Sequence, residues 1–172
     1  LGEIVAGHGC DDFAWSDDPA ERRRLWEARH HAYEATRLLR PGVGSMATDV
    51  CVPISRLAAC IEETRADVDG SGLVATMVGH VGDGNFHVQL LFDTDDADEV
   101  ARAAAVHERM VRRAIAMEGT CTGEHGVGYG KAAFLALEHD EATLDAMRAV
   151  RAALDPLGLM NPGKVLPAAA PA

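Results

Sequence analysis

The chain has 172 residues, one domain's worth or a domain with appendages, and its apolar fraction of 48% is ordinary for a globular protein with a sizeable core. A net charge of −11 leaves no basic stripe to neutralise phosphates, which argues against nucleic acid and anionic membrane surfaces as partners. No apolar run approaches the roughly 20 residues of a bilayer-crossing helix, and no signal-peptide pattern is present.

Leu1 to His8 reads as the last turns of a helix stopped by Gly7 and Gly9. The chain opens without a methionine inside that helix-like segment, and is expected to be a piece of something longer. Asp11 to Trp15 is a short extended piece. Ser16 offers an N-cap and Pro19 a first turn for a long helix from about Asp17 to Leu38, closed by Pro41-Gly42. Arg22-Arg23-Arg24 on it reads as a solvated face. Trp26 and Arg29 lie one turn apart and share a face. They read either as a core anchor beside a surface cation, or as an aromatic-backed clamp for a carboxylate.

Thr48 to Val52 alternates like a strand ended by Pro53, and Ser55 caps a helix over Arg56 to about Val68. Leu73 to Val78 and Val88 to Phe92 are strand-like runs around a glycine-rich turn, which predicts a hairpin. The turn Asp93-Thr94-Asp95-Asp96 caps a helix from about Ala97 to Met117, with Val100, Ala104, Met110, Val111, Ala114 and Ile115 at helical spacing, and acidic residues run from Asp93 to Glu99. The acidic cluster there lacks the glycine and terminal glutamate of a calcium loop, so first-turn acids at a helix N-terminus explain it. After Glu118-Gly119 come a second glycine-rich loop and helical runs over Lys131 to Leu137 and Glu141 to Leu154. The chain leaves through a non-helical Asp155 to Lys164 and a weakly structured tail, Ala168 to Ala172. Helices interleaved with a central hairpin predict an α+β fold, a largely antiparallel sheet with helices packed on one side.

The chemistry-bearing residues gather at the two glycine-rich turns. His80 closes the first hairpin strand and His87 opens the second, and antiparallel pairing brings such positions within a few ångströms. Two imidazoles suit zinc, iron or manganese, but a third protein ligand is needed, and the plain alternative is a turn with no metal at all. Thr120 to Gly128 supplies a neighbouring carboxylate and imidazole. Glu124 would complete the site and leave His125 for proton transfer. Cys10, Cys51, Cys60 and Cys121 show no CxxC pair or disulfide-like spacing, which predicts reduced thiols and a cytoplasmic setting. No HExxH pair supports a zinc hydrolase.

Three stretches in this order, Gly79-His80-Val81-Gly82-Asp83-Gly84-Asn85-Phe86-His87, Cys121-Thr122-Gly123-Glu124-His125-Gly126 and Leu159-Met160-Asn161-Pro162-Gly163-Lys164, resemble the C-terminal part of the FAD-linked oxidases of the vanillyl-alcohol-oxidase type. Trp26 to His30 and Thr48 to Leu57 place the likeness nearest the D-lactate dehydrogenase (cytochrome) branch, from roughly Trp15 to Leu166. The resemblance implies a ferredoxin-like cap or substrate domain over residues 1–154, and a segment 155–172 returning toward an N-terminal FAD-binding domain that this chain lacks. It implies a divalent ion, zinc or manganese, on His80, His87 and Glu124, with Gln89 as an outer contact. His125 would be the base, Arg29 the clamp on the substrate carboxylate, and Asn161 a neighbour of the isoalloxazine of FAD.

The implied activity is oxidation of a small D-2-hydroxy acid, with electrons passing to an unidentified acceptor that would draw the protein to the membrane periphery. By the same likeness, the position of a lysine that grips a distal carboxylate in the D-2-hydroxyglutarate branch is here Ala47, which favours D-lactate or glycolate. The alternative is a stand-alone metal-binding or interaction module. Apolar surface meant for the FAD domain would favour homo-oligomers of the chain alone.

Overall fold

Asn85–Phe92 (β4) is the strand around which the sheet is built, and seven of its eight residues are buried. In the computed structural model, which describes residues 2–9 and 13–167, it pairs antiparallel with three others. Leu1, Cys10, Asp11, Asp12 and the tail 168–172 lie outside the described residues, and with them the readings of Cys10 as a thiol, of the start of the extended piece and of the tail. Val74–His80 (β3) runs along one edge of β4, in a register that places Val78 opposite His87 and His80 opposite Asn85. The other edge is shared by Gly44–Ala47 (β1) and Val50–Cys51 (β2), so the sheet is antiparallel throughout. The turn between β3 and β4 is a single 3-10 turn over Val81–Asp83, closed by Gly84 at φ 75. A Cβ there would sit 2.1 Å from the Val52 carbonyl oxygen, so both handedness and space demand glycine.

Where the sequence reads one strand over Thr48 to Val52, the structure holds a ladder interrupted at Thr48-Asp49. The cause is local. The Thr48 hydroxyl accepts the Val88 N–H at 2.8 Å, taking the place of a main-chain carbonyl, and the Thr48 carbonyl is released toward the His87 ring.

Ile54–Ser71 (α4) and Ala97–Ala116 (α5) pack against each other, and α5 lies on β2 and β4. Phe86, Val88 and Leu90 point one way from β4 and join Val50, Val106 and Met110 in the core. Burying each such side chain contributes about 1.5–3 kcal/mol. Asn85, His87 and Gln89 alternate with them and face the other way. Two helix readings are corrected. The buried stripe of α5 runs through Ala103, Val106, Met110, Val111 and Ala114, while Val100 and Ala104 are exposed. The start of α4 comes at Ile54, with Pro53 at φ −51 and ψ 138 in the cap position, before the expected Ser55.

After α5 the chain returns to the sheet at Thr120, which bridges Cys51. A 3-10 turn over Ala132–Phe134 and a short helix Leu135–Glu138 (α6) replace the expected helix over Lys131 to Leu137, and Glu141–Leu154 (α7) ends the helical part. Arg151 on α7 donates to the main-chain carbonyls of Met160, Asn161 and Lys164, which ties down the exit segment.

By its internal contacts the described chain divides into residues 1–39 and 40–172. Residues 155–167 belong to the second unit. The first unit contains Gly2–Gly7 (α1), Pro19–His30 (α2) and Ala32–Arg37 (α3). The single long helix expected there is broken at His31. Its cap is Asp18, whose Oδ1 accepts the N–H of Ala20 and Glu21 at 2.9 Å, and Ser16 instead accepts from Asp18 N. Trp26 is 54% exposed and stacks loosely on His30, so it anchors no core among the described residues. No described helix is long and apolar enough to cross a membrane.

Candidate metal centre

His80 and His87 reach the same face of the sheet from adjacent strands, diagonal neighbours in the β3–β4 register. Glu124 arrives from the loop after Thr120. One ligand atom from each of the three lies within 4.8 Å of the others, the only such cluster of three among the described residues. Glu124 Oε1 is 2.9 Å from His87 Nε2 and 3.6 Å from His80 Nε2. His125 stacks on His87, with ring centroids 4.9 Å apart and planes 13° from parallel, and its Nε2 is 3.7 Å from the same carboxylate oxygen. Glu124 and His125 are about half exposed, while His87 is buried.

The tautomer of His87 follows from its partners. Nδ1 lies 3.0 Å from the Thr48 carbonyl oxygen, which only accepts, so Nδ1 carries the hydrogen. Nε2 is then a lone pair in the neutral ring. It is buried, forms no hydrogen bond, and nonetheless stands 2.9 Å from a carboxylate oxygen. Two acceptors at that distance repel unless a cation lies between them, either a proton or a metal. A donor set of two imidazoles and one carboxylate is that of a three-ligand divalent centre with an open position. The residues therefore fit a divalent ion.

The loop is held by a residue that the sequence reading passed over. Asp49, wholly buried, sits in the gap between β1 and β2. Its Oδ2 accepts the Thr122 hydroxyl at 2.8 Å and the backbone N–H groups of Gly123, Glu124 and His125 at 2.9, 3.0 and 2.9 Å. Oδ1 accepts Asn85 Nδ2 at 2.8 Å and stands 3.6 Å from His87 Nδ1. Lys131, also buried, donates to the Asp49 carbonyl at 2.8 Å and lies 3.3 Å from Oδ2. Desolvation would raise the Asp49 carboxyl; the His125 N–H, Asn85 amide, Thr122 hydroxyl and Glu124 N–H outweigh it and hold the group well below the usual carboxylate range. Burial pushes the Lys131 ammonium down, with Asp49 opposing. A signal for this hub existed: a charged residue inside an apolar strand run needs a partner.

Gly123 belongs to the same construction. A Cβ on it would lie 1.9 Å from Asn85 Nδ2 and 2.9 Å from Asp49 Oδ1, so only glycine lets the loop approach. Along β4, Asn85 Oδ1 and Gln89 Nε2 are, like His87 Nε2, buried without a partner among the described residues. Two sequence candidates remain. Arg29 stands on α2 in the first unit. Asn161, at φ 48, accepts from Arg151 through its carbonyl and from Lys164 Nζ through Oδ1.

Residues 1–165 match the family described as FAD linked oxidases, C-terminal domain. A probable mitochondrial D-lactate dehydrogenase of Danio rerio is 52% identical over 164 residues, 95% of this chain and 33% of that protein. The glycolate oxidase subunit GlcD of Escherichia coli K12 is 32% identical over 167 residues, 97% of this chain and 33% of that protein. The chain thus spans about a third of the length of the curated relatives it matches. Among solved structures, 4-ethylphenol oxidase from Gulosibacter chungangensis, in complex with isoeugenol, superposes with a TM-score of 0.60 at 19% identity, over 83% of this chain and 30% of that one, which shows a shared fold. The cytoplasmic expectation is corrected by these relatives: the D-lactate dehydrogenases most similar among them are named as mitochondrial. Reduced thiols report a reducing compartment, not which one, so cysteine usage never carried that distinction.

Proposed function

The chain belongs to the C-terminal domain family of FAD-linked oxidases, and from that premise we propose that it carries the metal ligands and the base of a flavin-dependent D-2-hydroxy-acid dehydrogenase acting on D-lactate or glycolate. The observation that supports this most is the convergence of His80, His87 and Glu124 with His125 stacked beside them. The names of relatives at both levels of identity, D-lactate dehydrogenase and glycolate oxidase, agree with a small monocarboxylate. The neutral Ala47 fits the same substrate class.

A divalent ion, zinc or manganese, would supply Lewis acidity at the substrate hydroxyl, and a flavin would supply the hydride acceptor. His80, His87 and Glu124 would hold the ion. His125, half exposed through its side chain while its main chain is pinned to Asp49, takes the hydroxyl proton from a fixed position. Arg29 offers the planar fork that clamps the substrate carboxylate by two parallel bonds. Asn161 would be the residue near a bound flavin. Burial of His87 keeps water from one side of the centre, and the Thr48 carbonyl at Nδ1 fixes the tautomer that presents Nε2.

The test uses two variants in the flavin-carrying protein, with metal content and D-lactate-dependent dye reduction measured together. Glu124→Gln is expected to lose the ion and turnover. His125→Asn is expected to keep the ion and lose turnover by about 10²–10⁴-fold. Undiminished turnover in His125→Asn contradicts the assignment of the base.

A further inference from the structure

We propose that Asp49 is the positioning residue of this centre: one buried carboxylate locks the Thr122–His125 loop to β4, so that Glu124, His87 and His125 stand in their working arrangement before an ion binds. The inference rests on the metal reading above and assigns a role to a residue outside the ligand set.

The two oxygens divide the task. Oδ2 gathers four donors from four consecutive residues, Thr122 to His125, all within 3.0 Å. Oδ1 faces the strand, accepting Asn85 Nδ2 and standing 3.6 Å from His87 Nδ1. Loop and strand therefore meet on a single group. Nothing about strand formation calls for that group: aspartate disfavours strands, and burying its charge costs several kcal/mol before compensation. Lys131 supplies the compensating charge from behind the loop. What the arrangement secures is the relative position of a carboxylate and an imidazole from segments 37 residues apart in sequence, Glu124 minus His87. Asparagine cannot replace it. Whichever way its amide is turned, an NH2 donor opposes donors, the three backbone N–H groups on one side or Asn85 Nδ2 on the other. Gly123 gives an independent handle, because Gly123→Ala forces the loop away from Asp49 and Asn85 without altering any charge.

The experiment uses the whole chain, with Zn2+ and Mn2+ each competed against a chromophoric chelator, and amide hydrogen exchange followed at residues 123–125. A control, Val68→Ala, loses stability from a buried position on α4 outside the site. Asp49→Asn and Gly123→Ala are expected to weaken ion binding about 10–100-fold, the usual cost of an outer-shell partner, and to speed exchange at the three amides. Val68→Ala is expected to lower Tm and to do neither. Should Asp49→Asn not fold, Thr122→Val removes one of the four donors, keeps the charge, and is expected to shift both readouts in the same direction. Wild-type ion affinity in folded Asp49→Asn, or an equal loss of affinity in Val68→Ala, overturns the positioning role and leaves the metal reading standing. A wild-type chain that binds neither ion overturns the metal reading and this inference with it.

Discussion

Asp49 and Asp67 are both carboxylates flanked by cations, and they serve opposite ends. Asp67, on α4, meets Arg109 and Arg113 from α5 at a partly wet helix seam, with Glu63 sharing Arg113. Desolvation would raise its carboxyl, and the two guanidinium groups outweigh that and lower it. The network joins two helices that the apolar core already joins. Asp49 is completely buried, has one cation and five neutral donors, and joins the Thr122–His125 loop to Asn85 on β4. The difference shows where a charge is informative: a carboxylate at a seam adds to packing, whereas one beneath a loop decides where that loop stands.

The comparison breaks most sharply at Asp49 itself. Asp49→Ala strands Lys131 and three N–H groups, and is expected to cost about 3–5 kcal/mol in denaturant unfolding. A cost near that of Asp67 removes the distinction. Lys131→Met leaves the carboxylate its neutral donors, so the loss should be smaller, about 1.5–3 kcal/mol by the same measurement.

Acid titration sharpens the contrast further. The folded Asp49 carboxyl lies below its ordinary 3.8, so its stabilisation is complete above about pH 4 and is lost as pH falls further; the wild-type-minus-Asp49→Asn difference should collapse in that window. His107, edge-on to Phe134, has its pKa lowered from 6.5, first by desolvation and then by the Lys131 charge. The unfolded chain takes up that proton before the folded one, so stability falls as pH drops below about 6.5. His107→Gln should flatten that limb of a stability–pH curve. Least affected is the seam: Asp67→Ala is expected to cost about 1 kcal/mol or less, a loss that shrinks as salt is added.

The same contrast explains what the sequence disclosed. Hairpin, antiparallel sheet and the end of α7 were legible because short apolar runs, a glycine-rich turn and the proline and glycine after Asp155 each act over a few residues. The close approach of His80 and His87 was legible for that reason too, since a short hairpin turn keeps the ends of its two strands together. Three things were not. The break at Thr48-Asp49 depends on a hydroxyl replacing a carbonyl in the ladder, an event that pattern does not encode. Met110, Val111 and Ala114 of α5 are buried as read, but toward its start Ala103 and Val106 take the place of Val100 and Ala104, because the core the helix meets, Phe86 and Val88, decides which face is buried. Asp49 and Lys131 lie 82 residues apart, and nothing local to either announces the other. Asp49 was visible only as an ionised residue in an apolar run, a question without its answer.

Metal content of the purified chain, set beside that of Glu124→Gln, tests the central claim most directly. One divalent ion per wild-type chain, absent from the variant, is the predicted result. An ion held equally well by both, or by neither, contradicts the centre built on His80, His87 and Glu124.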